Sequence, residues 1–252
     1  MFSVIFKIKK KLEKKINTYY DYVVNFGGNV DHSRNKDVLK THFYGCKNLS
    51  DIFLKNPPKL FIQIGSSAEY GKKKSPHSEK IKCRPLSIYG KSKLLSTKYL
   101  IRLYEKNKFP VTILRLYQVF GPHQETNRLI SFVIDSCLKN KKFPCSDGKQ
   151  FRDFLHVDHV IRAIFKSIKS TQSKGKVINI GAGKTWNVKK VILYINSLIG
   201  RGIPEFGKIK LRKEESLKIY PKINNAKKII NWYPSDDFLK KLRHTVKSFN
   251  AK

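Results

Sequence analysis

Hydrophobic residues along the chain fall into short continuous runs separated by longer stretches in which they recur every three or four positions. Short apolar runs that are bounded by turn residues and separated by helix-length segments are typical of β–α–β units on a parallel sheet. The pattern therefore predicts an α/β fold. The four expected strands span 22–26, 60–64, 111–116 and 177–180.

Helices are predicted where the apolar residues recur at helical spacing. In the segment 158–168, Val160, Ile164 and Ile168 repeat every four residues, which places them on one helical face. Asn187 precedes a similar pattern and suits an N-cap, because its side-chain oxygen can accept a backbone hydrogen bond. A terminal helix is expected after the Pro-Ser-Asp sequence at 234–236, through residue 249. The other predicted helices span 87–106, 129–138 and 187–198.

The same pattern divides the chain into three parts. Residues 1–20 form a basic segment with the end of a helix, residues 21–170 hold most of the sheet, and residues 171–252 hold its last strand and helix with a mixed C-terminal lobe. The chain has 252 residues, of which 40% are apolar. It is long enough for one large domain with a small appended lobe, and a disordered chain is excluded.

The charge of the chain is unusual. Lys and Arg number 53 against 18 Asp and Glu, which gives a formal net charge of +35. A field of this sign favours anionic partners such as nucleic acid, anionic lipid or phosphorylated metabolites. Most of the cations are lysines scattered along the whole chain. A solvated basic surface is therefore the favoured interpretation, and a nucleic-acid function is the alternative.

Cysteine usage and the N-terminal segment bear on the compartment. Cys46, Cys83, Cys137 and Cys145 form no CxxC pair, so neither a disulfide framework nor a metal site is expected and a reducing compartment is the default. The apolar patch at 1–8 runs into lysines and is too short for a signal peptide, and no run approaches the roughly 18 apolar residues of a membrane span. These features predict a soluble, cytoplasmic protein without a membrane segment.

The most informative polar pair lies on the helix predicted at 87–106. Tyr89 and Lys93 are four residues apart, so both side chains project from one face. A phenol with a pKa of about 10 is a poor base at neutral pH, but a fixed ammonium beside it favours the phenolate and lowers that pKa. The pair suits proton transfer to or from an alcohol, although this spacing is also common by chance.

A small polar turn follows the strand predicted at 60–64. It contains Ser66 and Ser67 and leads to Tyr70 and Gly71. Because the carboxyl ends of parallel strands line the ligand crevice of such sheets, a hydroxyl here can hold a substrate oxygen near Tyr89. An ordinary turn of small polar residues is the alternative.

These residues occur with other segments in a recognisable order. Over residues 9–249 the chain resembles the extended short-chain dehydrogenase/reductases, in the branch of NAD-dependent nucleotide-sugar epimerases and dehydratases. Each segment is a loose match, and the combination is specific. The matching segments are 21–28, 66–71, the YxxxK sequence at 89–93, 114–122, 147–158, 177–183 and 231–234.

The resemblance implies a Rossmann-like parallel sheet with helices on both faces and a small C-terminal lobe for the substrate. Tyr89 would be the acid/base, and Lys93 would tune it while bonding the nicotinamide ribose. Ser66 or Ser67 would orient the sugar hydroxyl. Counting back from the Tyr-Gly pair at 70–71 favours Ser66, whereas counting forward to Glu69 favours Ser67; Ser66 is preferred.

Further roles are implied for the substrate. Gln118 stands where the family often has an asparagine in contact with the nucleotide-sugar, and Arg152 would clamp the diphosphate with its planar fork of donors. Arg212 and Glu215 would contact phosphate and ribose, with surface charge as the alternative for both. For Arg152 the alternative is a structural ion pair with a neighbouring aspartate, either Asp153 or Asp158.

The cofactor side departs from the family pattern. The resemblance implies NAD or NADP, with Gly27 and Gly28 passing close to it where a side chain would clash. However, the sequence contains no GxGxxG, and the strand at 22–26 usually lies further from the start. We therefore expect the first β–α–β unit, which holds the pyrophosphate, to be missing. Two explanations, a misassigned start or split gene and a decaying gene, are together favoured over the third, a loss of cofactor chemistry.

The implied function is NAD(P)-assisted hydride transfer at the sugar of a nucleotide-diphosphate sugar. An epimerase or reductase is favoured over a dehydratase, because only Glu69 is acidic after the serines. A homodimer is also implied, through the helix that carries Tyr89 and the one after the 111–116 strand. The alternative is a catalytically silent Rossmann-like module that binds nucleic acid or anionic surfaces through lysines at 7–15 and 72–74.

Overall fold

The computed structural model describes residues 13, 16, 18–29, 35–211 and 215–250. The strands are β1 (Tyr22–Asn25), β2 (Leu60–Ser66), β3 (Val111–Leu116), β4 (Gln118–Phe120), β5 (Lys142–Pro144), β6 (Phe151–Arg152), β7 (Phe154–His156), β8 (Lys176–Ile180), β9 (Trp186–Asn187), β10 (Ile203–Glu205) and β11 (Lys218–Ile219). The helices are α1 (Asn35–Leu39), α2 (Gly45–Phe53), α3 (Ile88–Asn107), α4 (Leu129–Leu138), α5 (Val157–Lys169), α6 (Val188–Ile199), α7 (Asn224–Ile230) and α8 (Phe238–Asn250). A π-helical turn at Lys40–Tyr44 joins α1 to α2, and a 3₁₀ turn at Ser67–Tyr70 follows β2.

The main sheet is parallel and contains the four predicted strands. Its order is β1-β2-β3-β8, with Tyr22 opposite Leu60 and Phe61 opposite Val111. Each connection between neighbouring strands passes through helices, as parallel pairing requires. The predicted α/β fold is confirmed.

Both faces of this sheet are buried, because successive residues of a strand point to opposite sides. Leu60, Ile62 and Leu114 pack on one face with residues of α5 and α7. Phe61 and Ile113 pack on the other face with residues of α2 and α3. Burial on two faces explains why these strands are continuous apolar runs and not alternating patterns.

A separate core lies in a second lobe. Its buried residues come chiefly from α4, α6 and α8, including Ile134, Ile192 and Val246. These residues lie on both sides of position 170, so the lobe draws on segments before and after the predicted domain boundary. That boundary stays a prediction.

Short strands connect the two cores. β6 lies between β11 and β9 in a three-stranded sheet, and β7 pairs with β4. Arg152 is thereby opposite Trp186 on one side and Ile219 on the other. Gln118 is opposite Phe154. These pairings place Gln118 and Arg152 between the main sheet and the lobe.

The longer helices begin and end close to the predicted positions. The Asn187 side chain accepts a hydrogen bond from the Lys190 backbone N–H at 3.1 Å, which confirms the predicted N-cap of α6. The helix end expected within 1–20 lies mostly outside the described residues. Within the described ranges, none of the helices combines the length and the apolar character needed to span a bilayer.

Candidate active site

The first turn of α3 is held unusually close to the turn after β2. Ser87 caps the helix, with its hydroxyl accepting from the Gly90 N–H at 3.1 Å. A Cβ atom added at Gly90 would lie 2.5 Å from the Ala68 carbonyl oxygen and 2.9 Å from Pro85 Cβ. Only glycine permits this approach, which brings Tyr89 to the carboxyl end of β2.

Ser66 ends β2 and caps the 3₁₀ turn that follows. Its hydroxyl accepts from the Ala68 N–H at 3.2 Å, and its own N–H donates to Glu69 Oε1 at 3.0 Å. The Ser66 side chain lies close enough to the Tyr89 phenol to lower its pKa by hydrogen bonding. Of the two serines considered, Ser66 is therefore the one beside the phenol, and Ser67 is the next residue in the turn.

Lys93 lies one helical turn beyond Tyr89 and points to the same strand. Its ammonium donates to the Ile64 carbonyl oxygen at 3.0 Å and lies 5.9 Å from the centroid of the Tyr89 ring. Only 5% of the residue is exposed. Burial lowers the pKa of Lys93, and the nearby Glu69 carboxylate opposes that effect.

The expected lowering of the Tyr89 pKa by Lys93 is not found. Burial raises the pKa of Tyr89 above its ordinary value, while the Ser66 hydrogen bond and the positive charge of Arg128 act in the opposite direction. The desolvation of the phenol is the larger effect. Arg128, which precedes α4 and was not a sequence candidate, is thus an electrostatic neighbour of the phenol.

Glu69 and Arg115 form a buried ion pair beneath the site. Glu69 is completely buried, and its Oε2 accepts from Arg115 Nε at 2.9 Å, Arg115 Nη2 at 2.8 Å and Thr97 Oγ1 at 2.9 Å. Sequence reasoning considered Glu69 only as an isolated acid. The missed signal was the single charge at Arg115 within an apolar strand, since a buried arginine needs a partner.

The glycine pair after β1 passes close to His42. A Cβ atom added at Gly28, whose φ is +149°, would lie 2.1 Å from His42 Cε1. The His42 ring packs edge-to-face on Tyr89, with 5.0 Å between ring centroids. At Gly27, an added Cβ would lie 2.8 Å from Asn25 Oδ1. Contact of this glycine pair with a cofactor stays a prediction.

Arg152 and Glu215, two of the predicted substrate residues, bond to each other. Arg152 Nη2 donates to Glu215 Oε1. Arg152 Nη1 donates to the backbone carbonyls of Phe151 at 2.9 Å and Leu217 at 3.1 Å. The partner is therefore Glu215 and neither of the aspartates considered as alternatives. Gln118 is exposed on β4, and Arg212 lies outside the described residues.

Asp153 ties β6 and β7 to the turn after β8. Its two carboxylate oxygens accept from the N–H groups of Ala182 and Gly183, each at 2.7 Å. Burial raises the pKa of Asp153 to about 7, although these backbone bonds oppose the increase. The other aspartate, Asp158, is paired with Lys241 at 2.5 Å on the surface.

The fold and the site together define a Rossmann-like α/β protein with a tyrosine, a lysine and a serine at the carboxyl end of a central strand. A family model described as the NAD dependent epimerase/dehydratase family matches residues 5–181. The chain belongs to this family.

Curated relatives carry nucleotide-sugar names. The chain is 29% identical over 179 residues to an uncharacterized UDP-glucose epimerase of Bacillus subtilis, covering 70% of this chain and 56% of the relative. It is 31% identical over 199 residues to a putative UDP-glucose 4-epimerase of Methanocaldococcus jannaschii, covering 71% of this chain and 64% of the relative. The chain thus spans less than two thirds of the length of these relatives.

Solved structures share the fold. A UDP-glucose 4-epimerase of Thermotoga maritima, solved with UDP-glucose, has a TM-score of 0.88 and 22% identity, covering 96% of this chain and 82% of that one. A UDP-N-acetylglucosamine 4-epimerase of Methanobrevibacter ruminantium, in complex with UDP-N-acetylmuramic acid, has a TM-score of 0.87 and 26% identity, covering 95% and 78%.

Proposed function

We propose that this chain acts on the sugar of a nucleotide-diphosphate sugar as an epimerase or a reductase, with Tyr89 moving the proton. The observation that carries the proposal is that Ser66 ends β2 with Tyr89 close enough for its pKa to be affected, while the Lys93 ammonium lies 5.9 Å from the centroid of the Tyr89 ring. The family membership and the names of the relatives support the same substrate class.

The nicotinamide end of NAD or NADP would lie beside Lys93. The buried ammonium has three donors and gives one of them to Ile64, so two remain for the hydroxyls of a ribose. When bound, a nicotinamide supplies the acceptor and donor of hydride. The sequence contains no GxGxxG that could hold the pyrophosphate.

The protonation state of Tyr89 favours one direction of transfer. Because burial raises its pKa, the phenol of the free protein is neutral at pH 7 and can give its proton to a carbonyl oxygen at once. Taking a proton from a sugar hydroxyl requires the phenolate, which the Arg128 charge stabilises. The Ser66 hydroxyl would hold the reacting oxygen within reach of Tyr89.

Dehydration is disfavoured because Glu69 is not free to act as an acid or base. Both of its carboxylate oxygens are bonded, one to the Ser66 N–H and the other to Arg115 and Thr97. On the substrate side, Arg152 would bind the diphosphate, since a guanidinium matches phosphate oxygens with two parallel donors.

A titration with NADH and NADPH tests the cofactor part of this proposal. Nicotinamide fluorescence and thermal stability are followed for the wild type, for Lys93→Ala and for Lys91→Ala, an exposed lysine on the same helix. Binding should be lost in Lys93→Ala and kept in Lys91→Ala. A folded wild-type protein that binds neither nucleotide would overturn the cofactor part.

An assay for interconversion of UDP-glucose and UDP-galactose then tests the reaction. Reduction of a carbonyl-containing UDP-sugar by NADH, without interconversion, would identify a reductase. Absence of both reactions with UDP-, dTDP- and CDP-sugars, in a protein that binds NADH, would contradict the proposed chemistry while leaving the cofactor site intact.

A further inference from the structure

The Arg152 guanidinium is fixed in place and almost fully covered. Only 4% of the residue is exposed, and Nη1 is held by two backbone carbonyls, those of Phe151 and Leu217. Phe151 lies on the same strand, and Leu217 directly precedes β11, which pairs with it. The guanidinium therefore cannot swing out towards a ligand without loss of these bonds.

Its partner carboxylate lies on the more open side. The Glu215 side chain is 31% exposed, compared with 5% for that of Arg152. A ligand that approaches from solvent therefore meets the carboxylate before the guanidinium. Glu215 bonds Arg152 through Nη2, the nitrogen that does not bond the backbone carbonyls.

We infer that Glu215 occupies the phosphate-binding position on Arg152 in the free protein, so that an anionic ligand must displace this carboxylate in order to bind. This inference rests on the proposed function, in which Arg152 binds the diphosphate. A carboxylate and a phosphate oxygen compete for the same guanidinium donors. The partly exposed carboxylate moves into water when it is displaced, whereas the guanidinium stays on its carbonyl partners.

The competition weakens the binding of every anion at Arg152, because each must displace the same carboxylate. A nucleoside monophosphate, whose phosphate carries a charge of about −1.5 to −2 at pH 7, has only that one group to offset this cost. A diphosphate brings more negative charge to the same cation and so displaces the carboxylate more effectively. The cost of displacement is the same for both ligands, so the site should bind nucleoside diphosphates detectably and nucleoside monophosphates only weakly until Glu215 is removed.

Binding measurements on the full chain test this inference without any turnover. Pyrophosphate, UDP and UMP are titrated by calorimetry into the wild type and into Glu215→Gln. The control is Glu105→Gln, which removes an exposed carboxylate on α3, far along the chain from Glu215. Glu215→Gln should bind pyrophosphate about tenfold more tightly and bind UMP measurably, because the competing charge is gone. Glu105→Gln should match the wild type.

Two results would overturn the inference. If Glu215→Gln binds pyrophosphate no more tightly than the wild type does, the carboxylate does not compete for Arg152. If that variant binds UDP more weakly with pyrophosphate unchanged, Glu215 contacts the ribose instead. Glu215→Ala repeats the comparison without the amide, and circular dichroism checks that each variant is folded.

Arg152→Lys separates this inference from the proposed function. If UDP binding does not depend on Arg152, the proposed diphosphate site is wrong and the inference falls with it. If UDP binding requires Arg152 but removal of Glu215 strengthens no anion, only the inference is wrong. NADH binding is measured in parallel, since neither substitution touches Lys93.

Discussion

Arg115 and Glu69 join β3 to the turn that carries Ser66 through a fully buried ion pair. Arg115 gives two donors to one carboxylate oxygen, and the other oxygen holds the Ser66 N–H. The position of the Ser66 hydroxyl therefore depends on a charge pair in the neighbouring strand. The pair also explains why a strand in the middle of the sheet contains an arginine.

Removal of one partner of this pair should be strongly destabilising. Glu69→Gln leaves the Arg115 charge buried without its counter-charge, and we expect a loss of about 3–5 kcal/mol in the free energy of unfolding. Urea denaturation of the wild type, of Glu69→Gln and of the double variant Glu69→Gln/Arg115→Met measures this loss. The double variant should recover part of the loss. A single-variant loss well below this range would mean that the pair contributes little.

Tyr89→Phe should remove activity without loss of stability. The substitution deletes the hydroxyl that transfers the proton, and we expect turnover to fall by about 10²–10⁴-fold. The melting temperature should stay close to that of the wild type, because the ring remains packed on His42. Tyr104→Phe on the same helix serves as the control. Equal turnover in Tyr89→Phe and the wild type would exclude Tyr89 as the acid/base.

Gly90→Ala should destabilise the protein, contrary to the usual effect of this change in a helix. Alanine normally stabilises a helix relative to glycine by about 1 kcal/mol. At Gly90 the new methyl group would meet the Ala68 carbonyl oxygen at 2.5 Å, so the helix must move, at a cost of about 1–3 kcal/mol. Denaturation and turnover should both report this displacement of Tyr89.

Gly45→Ala is the matched control for that experiment. Gly45 begins α2. A Cβ atom there would lie 3.7 Å from the Lys40 carbonyl oxygen, which is an ordinary van der Waals contact. We expect this variant to be as stable as the wild type or more stable. If both glycine variants behave alike, the close packing of α3 on the turn is not what limits substitution at Gly90.

Asp153 should make stability decrease as the pH rises. Burial raises its pKa to about 7, compared with about 3.9 in an unfolded chain. Between these values the folded protein holds a proton that the unfolded chain has lost, so increasing pH favours unfolding. The stability contributed by this proton is fully present below about pH 4 and is lost as the pH rises through about 7.

Comparison of the wild type with Asp153→Asn isolates this contribution. The variant cannot ionise, so its unfolding free energy should rise relative to that of the wild type from about pH 5 to about pH 7.5. Urea denaturation at these two pH values gives the comparison, in which the other titrating groups cancel. A pH-independent difference between the two proteins would contradict the raised pKa.

The sheet was predictable from sequence because its strands are buried on both faces. Leu60, Phe61 and Ile62 are consecutive apolar residues that serve alternate faces, and such runs are visible without a structure. The short strands β6 and β9 have two residues each and no hydrophobic period. They form because distant segments meet there, so local sequence does not indicate them.

The sequence indicates which residues form the candidate site, but it does not indicate their electrostatic environment. The spacing of Tyr89 and Lys93 and the family resemblance indicated the pair and the serines. The pKa of Tyr89 was expected in the wrong direction, because its burial depends on packing that the spacing does not reveal. Arg152 and Glu215 are 63 residues apart, and no local pattern predicts that they bond to each other.

The two hydrophobic cores differ in how much of the chain must be synthesised before they can form. The face of the sheet formed by Phe61, Leu100 and Ile113 uses residues that lie close together along the chain. The core of the lobe joins Ile130 to Leu242 and Val246. During synthesis the sheet can therefore gain much of its packing early, whereas the apolar face of α4 is covered only after α6 and then α8 have emerged from the ribosome.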